Sequence, residues 1–344
     1  MISRNKKIGI LVFCATVVIT FTFYFYQLFF GNNILVGSEK DDYLLIPTGA
    51  NFETVVDSLK KNDFLHDELS FRFVSKILKY DKNVKPGRYL LTQNANNFAT
   101  IMYIRSGRQE PVKLTFHNIR LKPDLAGRIT KNIEPDSARF LSLIQNPAYV
   151  NKYGFDTTTI MCMFLPDTYE VYWTITADEL IDRLHDEYKK FWNEERTAKA
   201  QELGLTRTQV SILASIVQAE TSRSDEKARI AGLYINRLKN NMPLQADPTI
   251  VYANGKFDLR RILKVHMEVD SPYNTYKYKG LPPGPINLPN LSSIDAVLNY
   301  ENHDFIYMCA KEDFSGYHNF ASNFRDHLRN ARIYQKALNK ANIK

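Results

Sequence analysis

The 344-residue sequence predicts an α+β protein in three parts: a single N-terminal transmembrane helix, a small α+β module and a larger α+β domain. Three observations lead there. An uncharged run, Ile8 to Phe30, has the length of a membrane span. From Tyr43 to about residue 108, short strand-like and helix-like stretches alternate. Beyond residue 109, longer helical patterns are interrupted by segments rich in Pro, Gly and polar residues. The expected order is an N-terminus at 1–7, a span at 8–30, a linker at 31–42, the module at 43–108 and the domain at 109–344. A hydrophobic fraction of 44% and a charged fraction of 24% are those of a globular chain. The net charge of +8 favours anionic partners. No dense Lys/Arg block with interleaved aromatics is present, so nucleic acid is not expected among them.

The span follows a basic stretch containing Arg4, Lys6 and Lys7, which sets the N-terminus in the cytoplasm and the remainder outside it, as a single-pass protein of the inner membrane. The rival reading is a cleaved signal peptide. Its apolar region usually runs to about 7–15 residues and ends at a small-residue site, whereas this run is longer and aromatic up to Gly31. Cys14 lies in the span; Cys162 and Cys309 could form one bridge or remain thiols. No Cys/His spacing resembles a zinc site, and no metal or cofactor is expected.

In the module, "YLLIP" reads as a strand, "NFETVVDSLKKNDFL" and "ELSFRFVSKILKY" as amphipathic helices, "KPGRYLL" as a turn and strand, and "NFATIMYIRSG" as a helix closed by Gly107. In the domain, "PVKLTFHN" reads as a strand, and "DLAGRITKNI" and "DSARFLSLIQN" as helices. "MCMFLPDTYEVYW" mixes strand and turn signals, and residues 177–204 read as one long charged helix. Thr206 and Gln209 form a capping box that starts a helix near Arg207. A further helix restarts after Ser222 or Ser224 as N-cap. "LQADPTIVYA", "DSPYNTYKYKGLPPGPINLPN" and "SGYHNFASNFRDH" read as long irregular polar segments, which in a compact domain are more often functional than accidental.

The helix at 207–220 carries one acid at its end. Leu213, Val217 and Glu220 share a face, with Ile212 and Ile216 on the neighbouring stripe. On an inward face, burial raises a carboxyl pKa and keeps a proton available for general-acid work. At a helix end, Glu220 could equally be solvated or cap the next helix. The 20 Tyr and 21 Phe are mostly core, and a minority offer flat faces that suit sugar rings.

The ordered motifs "LPDTY", "ASIVQAET", "INRL", "LQADPTIVY", "YNTY", "GLPPGPI" and "HNF" resemble the endolytic murein transglycosylase family, also called YceG-like. The resemblance spans roughly Leu165 to His327, and the module is similar to the LysM-like part of that family. It implies an enzyme that cuts peptidoglycan glycan strands internally, between N-acetylmuramic acid and N-acetylglucosamine, leaving a 1,6-anhydro end. It implies Glu220 as the catalytic acid and then base. Where relatives often carry another Glu two residues earlier, this chain has Gln218. Met161 and Cys162 replace a Glu-Gly pair common in relatives, and "NLPN" lacks the Gly that often follows.

The resemblance also implies sugar-contacting or positioning roles for Gln245, Asp247, Thr249, Asn274, Tyr276 and His318, with Gln218, Thr221, Asn236 and Arg237 in support. Each has a plainer reading: Asp247 as a cap before Pro248, Asn274 and Tyr276 as loop hydrogen-bonders, His318 as a structural histidine, Arg237 as a salt-bridge partner. The implied partners are glycan strands and peptidoglycan synthases. Two alternatives stand beside the transglycosylase. One is a non-catalytic wall-binding scaffold. The other is a hydrolytic muramidase, which needs a second carboxylate, for which Asp247 is the candidate.

Overall fold

Apolar periodicity and local capping produce most of the elements. The computed structural model describes residues 3–37, 42–259 and 262–341. The chain divides into two units. The first comprises Met1–Leu114 with Asn132–Pro135 and Glu170–Thr176, and the second the remainder.

The first unit opens with α1 (Arg4–Phe30), a helix long and apolar enough to cross a membrane and without a buried residue. There follow β1 (Tyr43–Ile46), α2 (Phe52–Lys61), α3 (Glu68–Ile77), β2 (Gly87–Leu90) and α4 (Asn97–Ser106). Side chains of Asn51, Asp67 and Asn96 cap the three short helices by accepting from Thr54, Leu69 and Ala99 N–H groups. Gly107 closes α4 in the left-handed region at φ 73°, which suits a residue without Cβ. β1 and β2 pair antiparallel with Tyr43 opposite Leu90. Leu44, Ile46, Val55, Val56, Leu59, Phe71, Val74, Ile101 and Ile104 form one core.

Residues 31–37, expected as linker, contribute to that core. Ile34 is fully buried. The Asn33 side-chain oxygen accepts from Asp67 N at 2.6 Å, and its Nδ2 donates to Asn97 Oδ1 at 2.7 Å.

β3 (Val112–Thr115), α5 (Lys122–Ile129), α6 (Ser137–Gln145), α7 (Pro147–Val150) and β4 (Thr168–Val171) come next. The expected long helix at 177–204 is two, α8 (Ala177–Phe191) and α9 (Glu194–Glu202). Asn193 breaks it by turning extended and accepting from Arg196 N, a local bond that outcompetes helix continuation.

At the centre of the second unit lies α10 (Arg207–Glu220), opened by the Thr206–Gln209 capping box. Val210 through Val217 are all buried, so the helix is enclosed on every side and not on one face alone. It packs against α11 (Lys227–Lys239), α12 (Asp247–Asn254) and α14 (Leu291–Leu298), while the short α13 (Lys264–Met267) follows α12. Neither Ser222 nor Ser224 caps α11. Its N-cap is Glu226, whose carboxylate turns instead to His318. "DPTIVYAN" is helical and not irregular, because Pro248 sits in the first turn, where its missing N–H costs nothing. A hairpin of β5 (Tyr307–Ala310) and β6 (His318–Ala321) packs with the terminal helix α15 (Phe324–Lys340).

Candidate active site

The C-terminal end of α10 delivers Glu220 to a cavity of about 900 Å³ within the second unit. That volume is within the range that holds an oligosaccharide-sized ligand. Two helices set the acid. α10 brings it out of the core, and α11 crosses behind it with Tyr234, which is almost wholly buried. The Tyr234 hydroxyl donates to Glu220 Oε1 at 2.5 Å. Glu220 keeps partial exposure toward the cavity while its carboxyl is packed among protein atoms. Burial pushes that carboxyl up to about 7, the Tyr234 hydrogen bond pulls against it, and the charge of Asp247 adds to the rise. Burial and the adjoining Glu220 hold the Tyr234 hydroxyl well above the usual phenol range, so it stays a donor.

Asp247, at the start of α12, lines the same cavity and accepts from the Tyr276 hydroxyl at 2.5 Å. Gln218 lines it two residues before Glu220. Its Nε2 donates to the Leu288 carbonyl at 3.1 Å, and its Oε1 accepts from Asn290 N at 2.6 Å. The stretch around Ile286 is tied to α10 from inside: Ile286 N donates to Ser215 Oγ at 3.1 Å, and Asn287 Nδ2 to the Ser215 carbonyl at 2.8 Å. The Pro-rich loop before it admits no larger residue at Gly284, where a Cβ would lie 2.7 Å from the Thr158 carbonyl.

The other expected site residues serve the frame. Gln245, in the left-handed region at φ 52°, accepts from Arg237 Nη2 at 2.8 Å, and Arg237 Nη1 also holds the Leu244 carbonyl. Thr249 is fully buried and shares a 2.8 Å hydrogen bond with Thr275. Asn274 is fully buried, with its Nδ2 on the Met267 and Val269 carbonyls. Asn236 donates to the His303 and Phe305 carbonyls, and Thr221 accepts from Arg223 N. His318 pairs through Nδ1 with buried Glu226 at 2.8 Å. Glu220, Gln218 and Asp247 thus meet at the cavity, with Tyr276 one hydrogen bond away, and the remaining seven lie around it or elsewhere.

Tyr234 was not legible as a site residue, because in "AGLYINRL" it reads as one more apolar position of α11. Arg120, Tyr252, Phe257 and Tyr334 also line the cavity. The three rings present aromatic surface, with Arg120 over that of Phe257 at 5.1 Å.

The model of the YceG-like family matches residues 44–333. The chain belongs to the YceG-like family. A Bacillus subtilis protein named endolytic murein transglycosylase is 28% identical over 303 residues, covering 83% of this chain and 84% of that one. A Streptococcus pneumoniae protein of the same name is 27% identical over 316 residues, and this YceG-like chain spans 57% of its length. The crystal structure of a yceG-like protein from Listeria monocytogenes shares the fold, with a TM-score of 0.55 at 24% identity, covering 84% of this chain and 98% of that one.

Proposed function

We propose that this YceG-like protein is a membrane-anchored endolytic transglycosylase. It cleaves the bond between N-acetylmuramic acid and N-acetylglucosamine within peptidoglycan strands, with Glu220 as general acid and then base. The observation that carries the reading is one carboxyl raised to about 7 at the wall of an oligosaccharide-sized cavity, with a buried hydroxyl fixed on one of its oxygens. Because Tyr234 donates to Oε1, that oxygen acts as acceptor and the proton of the neutral acid sits on Oε2. Oε2 protonates the glycosidic oxygen as its bond to the muramic acid anomeric carbon breaks. The carboxylate so formed keeps the Tyr234 bond, which is stronger to a charged acceptor. It then takes the proton of the muramic acid 6-hydroxyl as that oxygen bonds the anomeric carbon. The proton count closes on Glu220 and no water is consumed. An internal nucleophile of high effective molarity makes a second carboxylate unnecessary.

In this reading α1 is the anchor. Arg4, Lys6 and Lys7 keep the N-terminus in the cytoplasm, residues 43–108 are a LysM-like glycan-binding module, and peptidoglycan synthases are partners. Asp247 on the same cavity keeps a hydrolytic muramidase as the second reading. The test is to incubate the full-length protein in detergent with purified peptidoglycan and weigh the released fragments. Ends in 1,6-anhydro-muramic acid support the proposal. Fragments heavier by one water move the reaction to hydrolysis with Asp247. Glycan binding without fragments indicates a scaffold.

A further inference from the structure

Soluble helices bury one face and turn charge outward. In the first unit, α2 does so, exposing Glu53, Asp57, Lys60 and Lys61. Its neighbours α3 and α4 also leave large apolar residues exposed. Leu69, Phe73 and Ile77, spaced four apart on α3, are 78%, 40% and 49% exposed, and Phe98 and Met102 on α4 are 37% and 43% exposed. Single exposed apolar residues are ordinary, but a set of five on adjoining helices marks a contact surface.

These helices are the ones that receive the end of α1. The Phe25 ring lies 5.9 Å from Phe73, and the Phe30 ring 5.6 Å from Phe98. Asn97 Nδ2 donates to the Leu28 carbonyl at 2.9 Å, while Leu28 and Phe29 pack on the module core. A bilayer core takes about 20 helical residues. Counted from Ile8, that reaches Gln27, so Phe25 is inside the span and the Phe73 ring beside it stands at the same depth.

From this continuity we infer that the small module rests in the bilayer surface where α1 ends, with the exposed apolar residues of α3 and α4 in contact with lipid. The inference rests on the proposed anchoring by α1 and adds a second lipid contact. Lys76, exposed beside Phe73 and Ile77, is suited to extend toward phosphate headgroups.

A photoreactive diazirine analogue of leucine, placed singly at Ile19, Leu69 or Ile77 in the full-length chain, tests it. Each protein is reconstituted in vesicles of phosphatidylglycerol and phosphatidylcholine, irradiated and analysed by mass spectrometry. Lipid adducts at all three positions are expected. Lipid on Ile19 but none on Leu69 and Ile77 would overturn the inference and leave the anchor standing. Adducts of Leu69 or Ile77 with a second copy of the chain would assign the stripe to self-association and overturn it as well. Absence of lipid on Ile19 would remove the anchor and the inference with it.

Discussion

At the scale of single residues, the site depends on a balance around Glu220. Its carboxyl is raised from 4.5 to about 7. The acid form is present below that value and lost as pH rises through it, so the transglycosylase rate is expected to fall above about pH 7 with a single ionisation. Glu220→Gln should lower the rate by at least roughly 10²-fold and remove that limb from the profile. The same shift bears on stability. Between 4.5 and about 7 the folded chain holds a proton that the unfolded chain has released, so this group destabilises the fold progressively as pH rises. Glu220→Gln is therefore expected to raise Tm above pH 7 and to leave it nearly unchanged in acid, which melting curves at both ends would check.

Tyr234→Phe removes a hydrogen bond to a charged acceptor, worth about 1.5–3 kcal/mol, and should slow turnover by roughly 10-fold or more. Because that bond lowers the Glu220 pKa, its loss should also move the alkaline limb upward. A change in rate with an unmoved limb would place Tyr234 outside the proton path. Glu220 stood out in the sequence because a charge closes an apolar run. Tyr234 did not, since a buried tyrosine has the same helical spacing whether or not its hydroxyl has a task.

At the scale of elements, α10 is a central strut, and its polar interior tethers matter more than its periodicity. Ser215 is fully buried and accepts from Ile286 N. Ser215→Ala would leave that N–H unpaired, at a cost of about 1–3 kcal/mol. It should lower the urea midpoint and raise KM more than it lowers kcat, because the freed segment lines the cavity without supplying the proton. The Thr206–Gln209 capping box made the start of α10 legible, and apolar spacing made the short helices of the module so. Helix α12 was hidden by a Pro that terminates helices elsewhere but is accepted in a first turn. The break at Asn193 was hidden because a charged amphipathic pattern runs through it on both sides. The β5–β6 hairpin was hidden because its residues are only half-buried and alternate weakly.

At the scale of the whole molecule, a long apolar helix and a basic surplus point toward the same environment. The proposed anchoring by α1 predicts that the protein pellets with membranes and resists an alkaline carbonate wash, and that deleting residues 1–30 releases it. The net charge of +8 predicts binding to an anionic wall polymer that weakens as salt rises from low to physiological strength. A pull-down on peptidoglycan across a salt series reads that directly.

The way residues 31–37 join the module settles where the protein can be cut. Ile34 is fully buried and Asn33 nearly so. A soluble fragment beginning at Glu39 would leave a hollow where Ile34 belongs and should be less stable by about 2–5 kcal/mol than one beginning at Gly31. Parallel thermal melts would show the gap. The module therefore has no leash. Its sweep is that of α1 itself, the two tilting and spinning as one piece.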